Sequence, residues 1–176
     1  MDLNKILAKS DGTSLIDHSV LTSRIGRKIA NKSLKIASKN LLIQSIHLAC
    51  ILHDIGKATV SFQKFLRDSP NKRKFSHNEI SWAFCEKYLK VKANKNIILD
   101  AIYWHHGIMK PMGTNTSSEI LKTLTKGDIN NMKNLVIEML GNDYLINKTE
   151  TNDNRTITLG KEATLSVNEN GVVFEQ

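Results

Sequence analysis

Cysteine and proline are scarce in this chain, with two of each among 176 residues. Cys50 and Cys85 lie inside apolar helical patterns and form no C-x-x-C pair, which argues against a disulfide framework and against a cysteine zinc site. The first residues lack the apolar run of a signal peptide, and no apolar stretch approaches the roughly 18 residues of a membrane span. We therefore expect a soluble protein of the reducing cytoplasm.

Acidic residues are outnumbered, since 17 Asp and Glu face 25 Lys and Arg, which gives a formal net charge of +8 and a pI of about 9.5. Such a balance favours polyanionic partners, nucleic acid first, although a lysine-rich proteome would explain the charge equally well. The run Lys72-Arg73-Lys74 is more specific because it precedes His77 closely. It is predicted to guide a nucleic-acid strand, and the alternative is an ordinary solvated loop.

Helical periodicity dominates the chain up to Asn147 and predicts an all-α bundle in one domain, residues 1–147. On the first helix, Leu21, Ile25 and Ile29 form a stripe that is predicted to face the core together with His18. Ser76 and Glu79 have capping-box spacing. The predicted helices span residues 17–37, 41–53, 59–67, 77–90, 96–106, 117–126 and 128–144.

The character of the sequence changes after Asn147. A polar linker is followed by three short segments with strand patterns, and Asn170-Gly171 is a hairpin turn signal. Residues 148–176 are therefore predicted to be a linker and a β-hairpin-like tail, or the start of a further region that the sequence truncates.

Five of the six histidines lie in four short stretches, and each stretch is predicted to face the interior of the helical bundle. Taken singly, His18 and His77 are more often structural residues than ligands. His105-His106 is a stronger signal, and His53-Asp54 is the strongest. Buried histidines and aspartates cost free energy unless they are paired or bound to metal, so their accumulation predicts a metal site with two ions. His47 points away from His53 and is interpreted as structural. The four stretches are Asp17-His18-Ser19, His53-Asp54-Ile55-Gly56-Lys57, Ser76-His77 and Trp104-His105-His106-Gly107.

Histidine and carboxylate together suit a hydrolytic pair of divalent ions. Asp54 follows His53 at the end of a buried helix and is predicted to bridge the two ions. Lys57 lies four residues after His53, so its ammonium could reach the same pocket and contact a phosphate oxygen.

The order of these motifs resembles the HD superfamily of metal-dependent phosphohydrolases. The stretch from His53 to Thr59, followed by Phe62-Gln63, is similar to the HD nuclease domain of the type I CRISPR-associated nuclease-helicase. The other three stretches, with Ser81 after His77, fit the same pattern. The resemblance covers residues 10–147 and implies an HD-domain helical bundle.

The resemblance implies one ion held by His18, His53, Asp54 and a late aspartate. It implies a second ion held by Asp54, His77, His105 and His106. The best match for the late aspartate is Asp143, although Asn142 stands where the family usually has alanine. Asp128 is the runner-up and has the pattern of a helix N-cap. Ser81 is expected to orient the ring of His77.

The resemblance further implies cleavage of single-stranded DNA, as an endonuclease and as a 3′ to 5′ exonuclease, in CRISPR interference. The implied cofactors are two divalent transition-metal ions (manganese, nickel, cobalt or iron), which imidazole ligands favour over magnesium. The chain has no G-x-x-x-x-G-K-[ST] phosphate loop. The implied partners are therefore a helicase subunit or domain and the CRISPR surveillance complex.

Two other interpretations remain open from the sequence. The chain could be an HD-type nucleotide phosphohydrolase that acts on mononucleotides. It could also be a non-catalytic, metal-stabilised DNA-binding module, for which the departure at Asn142 leaves room.

Overall fold

The computed structural model describes residues 2–33, 39–68, 75–91, 93–106, 116–146, 155–158, 164–168 and 171–175. The chain divides into two compact units, Met1–Leu145 and Ile146–Gln176. The first unit is all-helical, as predicted. Among the described residues, no helix is both long enough and apolar enough to cross a membrane.

The helical unit contains seven α-helices and three short 3₁₀ helices within the described residues. The 3₁₀ helices are Leu3–Lys5, Ile55–Ala58 and Asn142–Tyr144. The α-helices are α1 (Leu15–Ser33), α2 (Lys39–Leu52), α3 (Val60–Asp68), α4 (His77–Tyr88), α5 (Lys95–Trp104), α6 (Ser117–Lys122) and α7 (Lys126–Leu140).

One core holds these helices together. Helix α2 packs between α1 and α5, and α4 packs against α5, α6 and the 3₁₀ helix Ile55–Ala58. Phe84, Leu52 and Ile102 are completely buried at the centre. Burial raises the pKa of the Cys85 thiol to about 12, which makes it unreactive, and both cysteines are free. The site described below lies where several of these helices end.

The predicted inward stripe on α1 is wrong. Leu21, Ile25 and Ile29 are 58%, 51% and 60% exposed. Helix α1 instead packs on α2 through small residues, since a Cβ added at Gly26 would lie 2.9 Å from Cys50 Sγ. The small side chains allow close approach of the two helices, so this face is the buried one. The buried residues of α1 are Leu15, Ser19, Ser23 and Ala30.

The predicted helix starts agree closely with the structure, and the ends differ. Glu79 accepts hydrogen bonds from both the N–H and the Oγ of Ser76, which confirms the capping box before α4. Helix α7 stops at Leu140, short of the predicted 144, because Gly141 adopts a φ of +92°. Asp143 therefore lies beyond α7, in a separate 3₁₀ helix.

The second unit is a three-stranded antiparallel sheet in the order β1-β2-β3. Its strands are β1 (Arg155–Thr158), β2 (Thr164–Asn168) and β3 (Gly171–Glu175). Strands β2 and β3 pair up to Asn168 and Gly171, so two residues connect them. The predicted linker from Lys148, and Asn170 of the predicted turn, lie outside the described residues.

Candidate metal centre

Helix ends bring the site together. His18 lies in the first turn of α1, and His77 is the first residue of α4. His53 and Asp54 connect the end of α2 to the 3₁₀ helix Ile55–Ala58. His105 lies just past the end of α5, followed by His106. Residues at helix ends are not committed to a continuous apolar face, so their side chains can converge on one point.

The histidine side chains converge on the carboxylate of Asp54. The residue is 2% exposed, and each of its two carboxylate oxygens faces a different pair of imidazoles. Oδ2 lies 3.2 Å from Nε2 of His18 and 3.2 Å from Nε2 of His53. Oδ1 lies 3.0 Å from Nε2 of His77 and 3.5 Å from Nε2 of His105. One carboxylate thus joins two sets of potential ligands.

Among the described residues, two groups have donor atoms close enough together to hold a metal ion. One is His18, His53 and Asp54, and the other is His77, His105 and His106. In the second group, Nε2 of His106 lies 2.7 Å from Nε2 of His77. We call these the His18 half and the His77 half of the site. His47 belongs to neither, and its Nδ1 instead lies 2.5 Å from Oγ of Ser23.

Backbone carbonyls orient two of the rings. Nδ1 of His53 lies 2.8 Å from the Cys50 carbonyl oxygen, and Nδ1 of His105 lies 2.7 Å from the Ile102 carbonyl oxygen. A carbonyl can only accept a hydrogen bond, so in each neutral ring the proton sits on Nδ1. The lone pair of Nε2 then faces Asp54, in the tautomer of a metal-binding histidine whose other nitrogen is held by a carbonyl.

This arrangement fits a divalent cation. Nε2 lone pairs face carboxylate lone pairs, and Asp54 Oδ1 and His105 Nε2 are buried without a hydrogen-bond partner. Buried polar atoms without partners are rare in folded proteins and need an explanation. A divalent ion would accept both lone pairs, which hydrogen bonding between two acceptors cannot do.

The pKa shifts favour the protonation states that metal binding requires. The pKa of Asp54 lies below its usual range although burial alone would raise it, so the carboxylate stays ionised beside the Lys57 ammonium. Burial lowers the pKa of His18, His77 and His106, against the attraction of Asp54. The carboxylate is therefore ionised and these rings are neutral near pH 7, as ligands must be.

Lys57 also reaches Asp54, as its predicted place in the pocket requires. Its Nζ lies 2.7 Å from Oδ2 and donates to the Ala8 carbonyl oxygen at 3.3 Å. The side chain is 12% exposed. The ammonium is therefore held on the His18 half of the site, in contact with the shared carboxylate.

Ser81 has a different role from the predicted one. Its Oγ accepts from the Gly56 N–H at 2.8 Å and donates to the His77 backbone carbonyl at 2.8 Å. It therefore fixes the backbone of His77 against the 3₁₀ helix and does not contact the His77 ring. The reason is the helical i, i+4 spacing, which directs a serine hydroxyl to the carbonyl one turn earlier.

Asp143 is not part of the site, so its assignment as the late aspartate ligand is corrected. It is exposed and lies beside Gln44 and Lys90, near the start of α2 and the end of α4. The cluster is at the opposite ends of both helices, and the nine residues from Gln44 to His53 correspond to about 13 Å along α2. Because α7 ends before Gly141, Asp143 lies outside the helix that was predicted to carry it, residues 128–144.

The carboxylate of Asp128 is used in hydrogen bonds that stabilise the fold. Its Oδ2 accepts from the N–H and Oγ of Thr125, and its Oδ1 accepts from the Val60 N–H at 2.8 Å. The N-cap is therefore Thr125, and Asp128 is the third residue of the helix, three positions after the cap that it was predicted to be. Among the described residues, the His18 half receives no carboxylate besides Asp54.

Two positioning residues were missed by the sequence reasoning. Asn78 Nδ2 donates to the Tyr103 carbonyl oxygen at 2.7 Å, which ties the start of α4 to the end of α5. Buried Gln63 donates to the carbonyls of Leu7 and Lys57. Gln63 thereby positions the segment whose Ala8 carbonyl accepts a hydrogen bond from the Lys57 ammonium. Its only sequence signal was the Phe62-Gln63 pair within the motif resemblance.

The basic run Lys72-Arg73-Lys74 and Gly107 lie outside the described residues. Their predicted roles stay predictions.

The comparison with protein families agrees with this geometry. A family model described as the HD domain matches residues 15–137, which include every histidine and carboxylate of the cluster. The chain belongs to the HD domain family. No curated protein and no solved structure matches the chain. As an HD domain, the chain has the fold and donor groups of a metal-dependent phosphohydrolase.

Proposed function

We propose that this HD domain is a nuclease that hydrolyses phosphodiester bonds of single-stranded DNA, as an endonuclease and as a 3′ to 5′ exonuclease. The observation that carries the proposal is Asp54, whose two oxygens face two separate histidine groups. A shared carboxylate between two sets of ligands is the arrangement expected of a two-ion phosphodiesterase. The basic charge of +8 supports a polyanionic substrate.

The proposed cofactors are two divalent transition-metal ions, one in each half of the site. Five imidazoles around one carboxylate favour manganese, cobalt, nickel or iron over magnesium. When bound, such ions would stabilise charge on the phosphate and lower the pKa of a water molecule.

The chain's own residues would position the substrate. Lys57 is the cation nearest Asp54 and is the proposed contact for a nonbridging phosphate oxygen. Asn78 and Ser81 hold the backbones of the ligand-bearing segments in place. Lys72, Arg73 and Lys74 would help to guide the strand electrostatically.

The motif resemblance supports a role in CRISPR interference in the cytoplasm. In that role the domain would act with a helicase, present as a subunit or a further domain, and with the surveillance complex. Neither partner is needed for cleavage of an accessible single strand by the isolated chain.

A substrate panel tests the proposal. The purified chain would be incubated with Mn²⁺ and, separately, single-stranded DNA, duplex DNA, deoxynucleoside triphosphates and cyclic mononucleotides. We expect cleavage of the single strand and negligible turnover of mononucleotides. Hydrolysis of mononucleotides alone would identify a nucleotide phosphohydrolase, and DNA binding without any hydrolysis would identify a non-catalytic module.

A further inference from the structure

The two halves of the metal centre differ in what already faces the shared carboxylate. In the His18 half, Oδ2 of Asp54 receives the Lys57 ammonium at 2.7 Å. In the His77 half, Oδ1 of Asp54 and Nε2 of His105 are buried and lack hydrogen-bond partners. In the His18 half, Lys57 therefore already places a positive charge beside the carboxylate. In the His77 half, no cation of the described residues does so.

We infer that the halves bind divalent ions with unequal affinity, and that the Lys57 ammonium occupies the cation position of the His18 half until it is displaced. The His77 half fills first and tightly. This inference rests on the proposed function only in taking the cluster to be a metal centre.

The donor sets support this order. The His77 half offers three imidazoles and the Oδ1 oxygen, and no lysine or arginine of the described residues contacts that oxygen. Among the described residues, the His18 half offers two imidazoles and Oδ2, since Asp143 lies elsewhere and Asp128 accepts hydrogen bonds from the N-cap Thr125. An ion there has fewer donors and must also approach a positive charge.

Lys57 cannot leave its place freely. Its ammonium is held between Asp54 Oδ2 and the Ala8 carbonyl, and Gln63 fixes the backbone on both sides of that contact. Charges a few ångströms apart in a partly buried site interact far more strongly than in water. A second ion is therefore repelled unless the ammonium finds another anion, and a substrate phosphate would provide one.

The test is a titration of metal-free protein with Co²⁺ alone, followed by calorimetry and by visible absorption. The wild-type protein should bind one ion tightly and a second at least about tenfold more weakly. Lys57→Met should strengthen the second ion by at least about tenfold and leave the first unchanged. Lys57→Arg, which keeps the charge, should retain the gap.

Two further variants assign the steps. His18→Ala should weaken only the second ion, and His106→Ala should weaken only the first. Far-ultraviolet circular dichroism of each variant confirms that it is folded, and Lys57→Gln replaces Lys57→Met if the latter is not.

Two ions of equal affinity in the wild type would overturn the inference. So would an unchanged gap in the folded Lys57→Met protein, or loss of the tight ion in His18→Ala. The titration contains no DNA, so these outcomes leave the nuclease proposal standing. Two-step binding without any cleavage would instead overturn the nuclease proposal alone.

Discussion

At the scale of single residues Asp54 is central, because among the described residues it is the carboxylate that both histidine groups share. The sequence was sufficient to predict His18, His53, His77, His105 and His106 as its neighbours, since motif order and helix ends are local signals. The Nδ1 contacts of His53 and His105 to Cys50 and Ile102 could not be predicted with the same ease. They depend on how each helix unwinds at its last turn.

Asp54→Asn should abolish cleavage and lower the affinity for both ions, since the amide offers one neutral oxygen in place of two charged ones. Asp143→Asn is the matched control and should keep both properties, because Asp143 lies at the far ends of α2 and α4. Cleavage assays and Co²⁺ titrations on the two variants measure this. Equal loss of metal in Asp143→Asn would restore that residue as a ligand.

Stability of the metal-free protein should fall as the pH drops. Burial lowers the pKa of His18, His77 and His106 from the ordinary 6.5, so these rings resist protonation when folded. Below about pH 6.5 the unfolded chain binds more protons, which favours unfolding. The stability they contribute is complete above that pH and is lost as the pH falls through the lowered pKa values.

Urea denaturation in EDTA, between about pH 7.5 and pH 5, measures the free energy of unfolding for this prediction. A free energy that stays constant or rises toward low pH would contradict it.

At the scale of elements, the contact between the 3₁₀ helix Ile55–Ala58 and α4 places the two halves of the site side by side. Gly56 makes this approach possible, since a Cβ there would lie 2.3 Å from the His77 carbonyl oxygen. A glycine at the end of a helix often serves as a cap with a positive φ, but the φ of Gly56 is not positive and its role is the close approach. A local sequence pattern cannot distinguish these roles, because the neighbour comes from 21 residues later in the chain.

Gly56→Ala should destabilise the protein by about 1–3 kcal/mol and weaken metal binding, because α4 must move away with His77. Gly127→Ala is the control, since a Cβ there meets only Thr125 Oγ1 at 3.6 Å. It should be neutral or stabilise α7 by up to about 1 kcal/mol. Thermal unfolding and Co²⁺ affinity distinguish the two, and equal behaviour would refute the close-contact role.

The apolar stripe on α1 shows that periodicity alone does not identify which face of a helix is buried. Leu21, Ile25 and Ile29 recur at helical spacing, yet they are exposed, while Ser23 and Gly26 contact α2. Periodicity identifies a helix correctly, but bulk alone does not identify the buried face when small residues permit closer packing.

At the scale of the whole molecule, the helical unit contains every residue of the metal centre. The unit ends at Leu145, which is buried and pairs with Leu89, while the Tyr144 carbonyl accepts from the Lys90 N–H. The sequence placed the division at 147, because composition changes there. The last turn of α7 was not predicted correctly, because the conformation of one glycine, Gly141, ends the helix and decides the position of Asp143.

A chain that ends at residue 147 should keep the Co²⁺ affinity and the thermal stability of the helical unit. A chain that ends at residue 140 should lose stability, because it removes the Leu145 and Tyr144 contacts with the end of α4. Loss of metal binding in the longer version would show that the site depends on residues 148–176.

The central claim is that Asp54 and its five histidines form a metal centre that cleaves single-stranded DNA. The most direct test is the cleavage of an end-labelled single strand by the wild-type chain and by Asp54→Asn, in EDTA, Mg²⁺, Mn²⁺, Co²⁺ and Ni²⁺. We predict cleavage by the wild type with the transition metals and none by the variant or in EDTA. Cleavage by Asp54→Asn at the wild-type rate, or no cleavage by a wild-type preparation shown to bind metal, would contradict the claim.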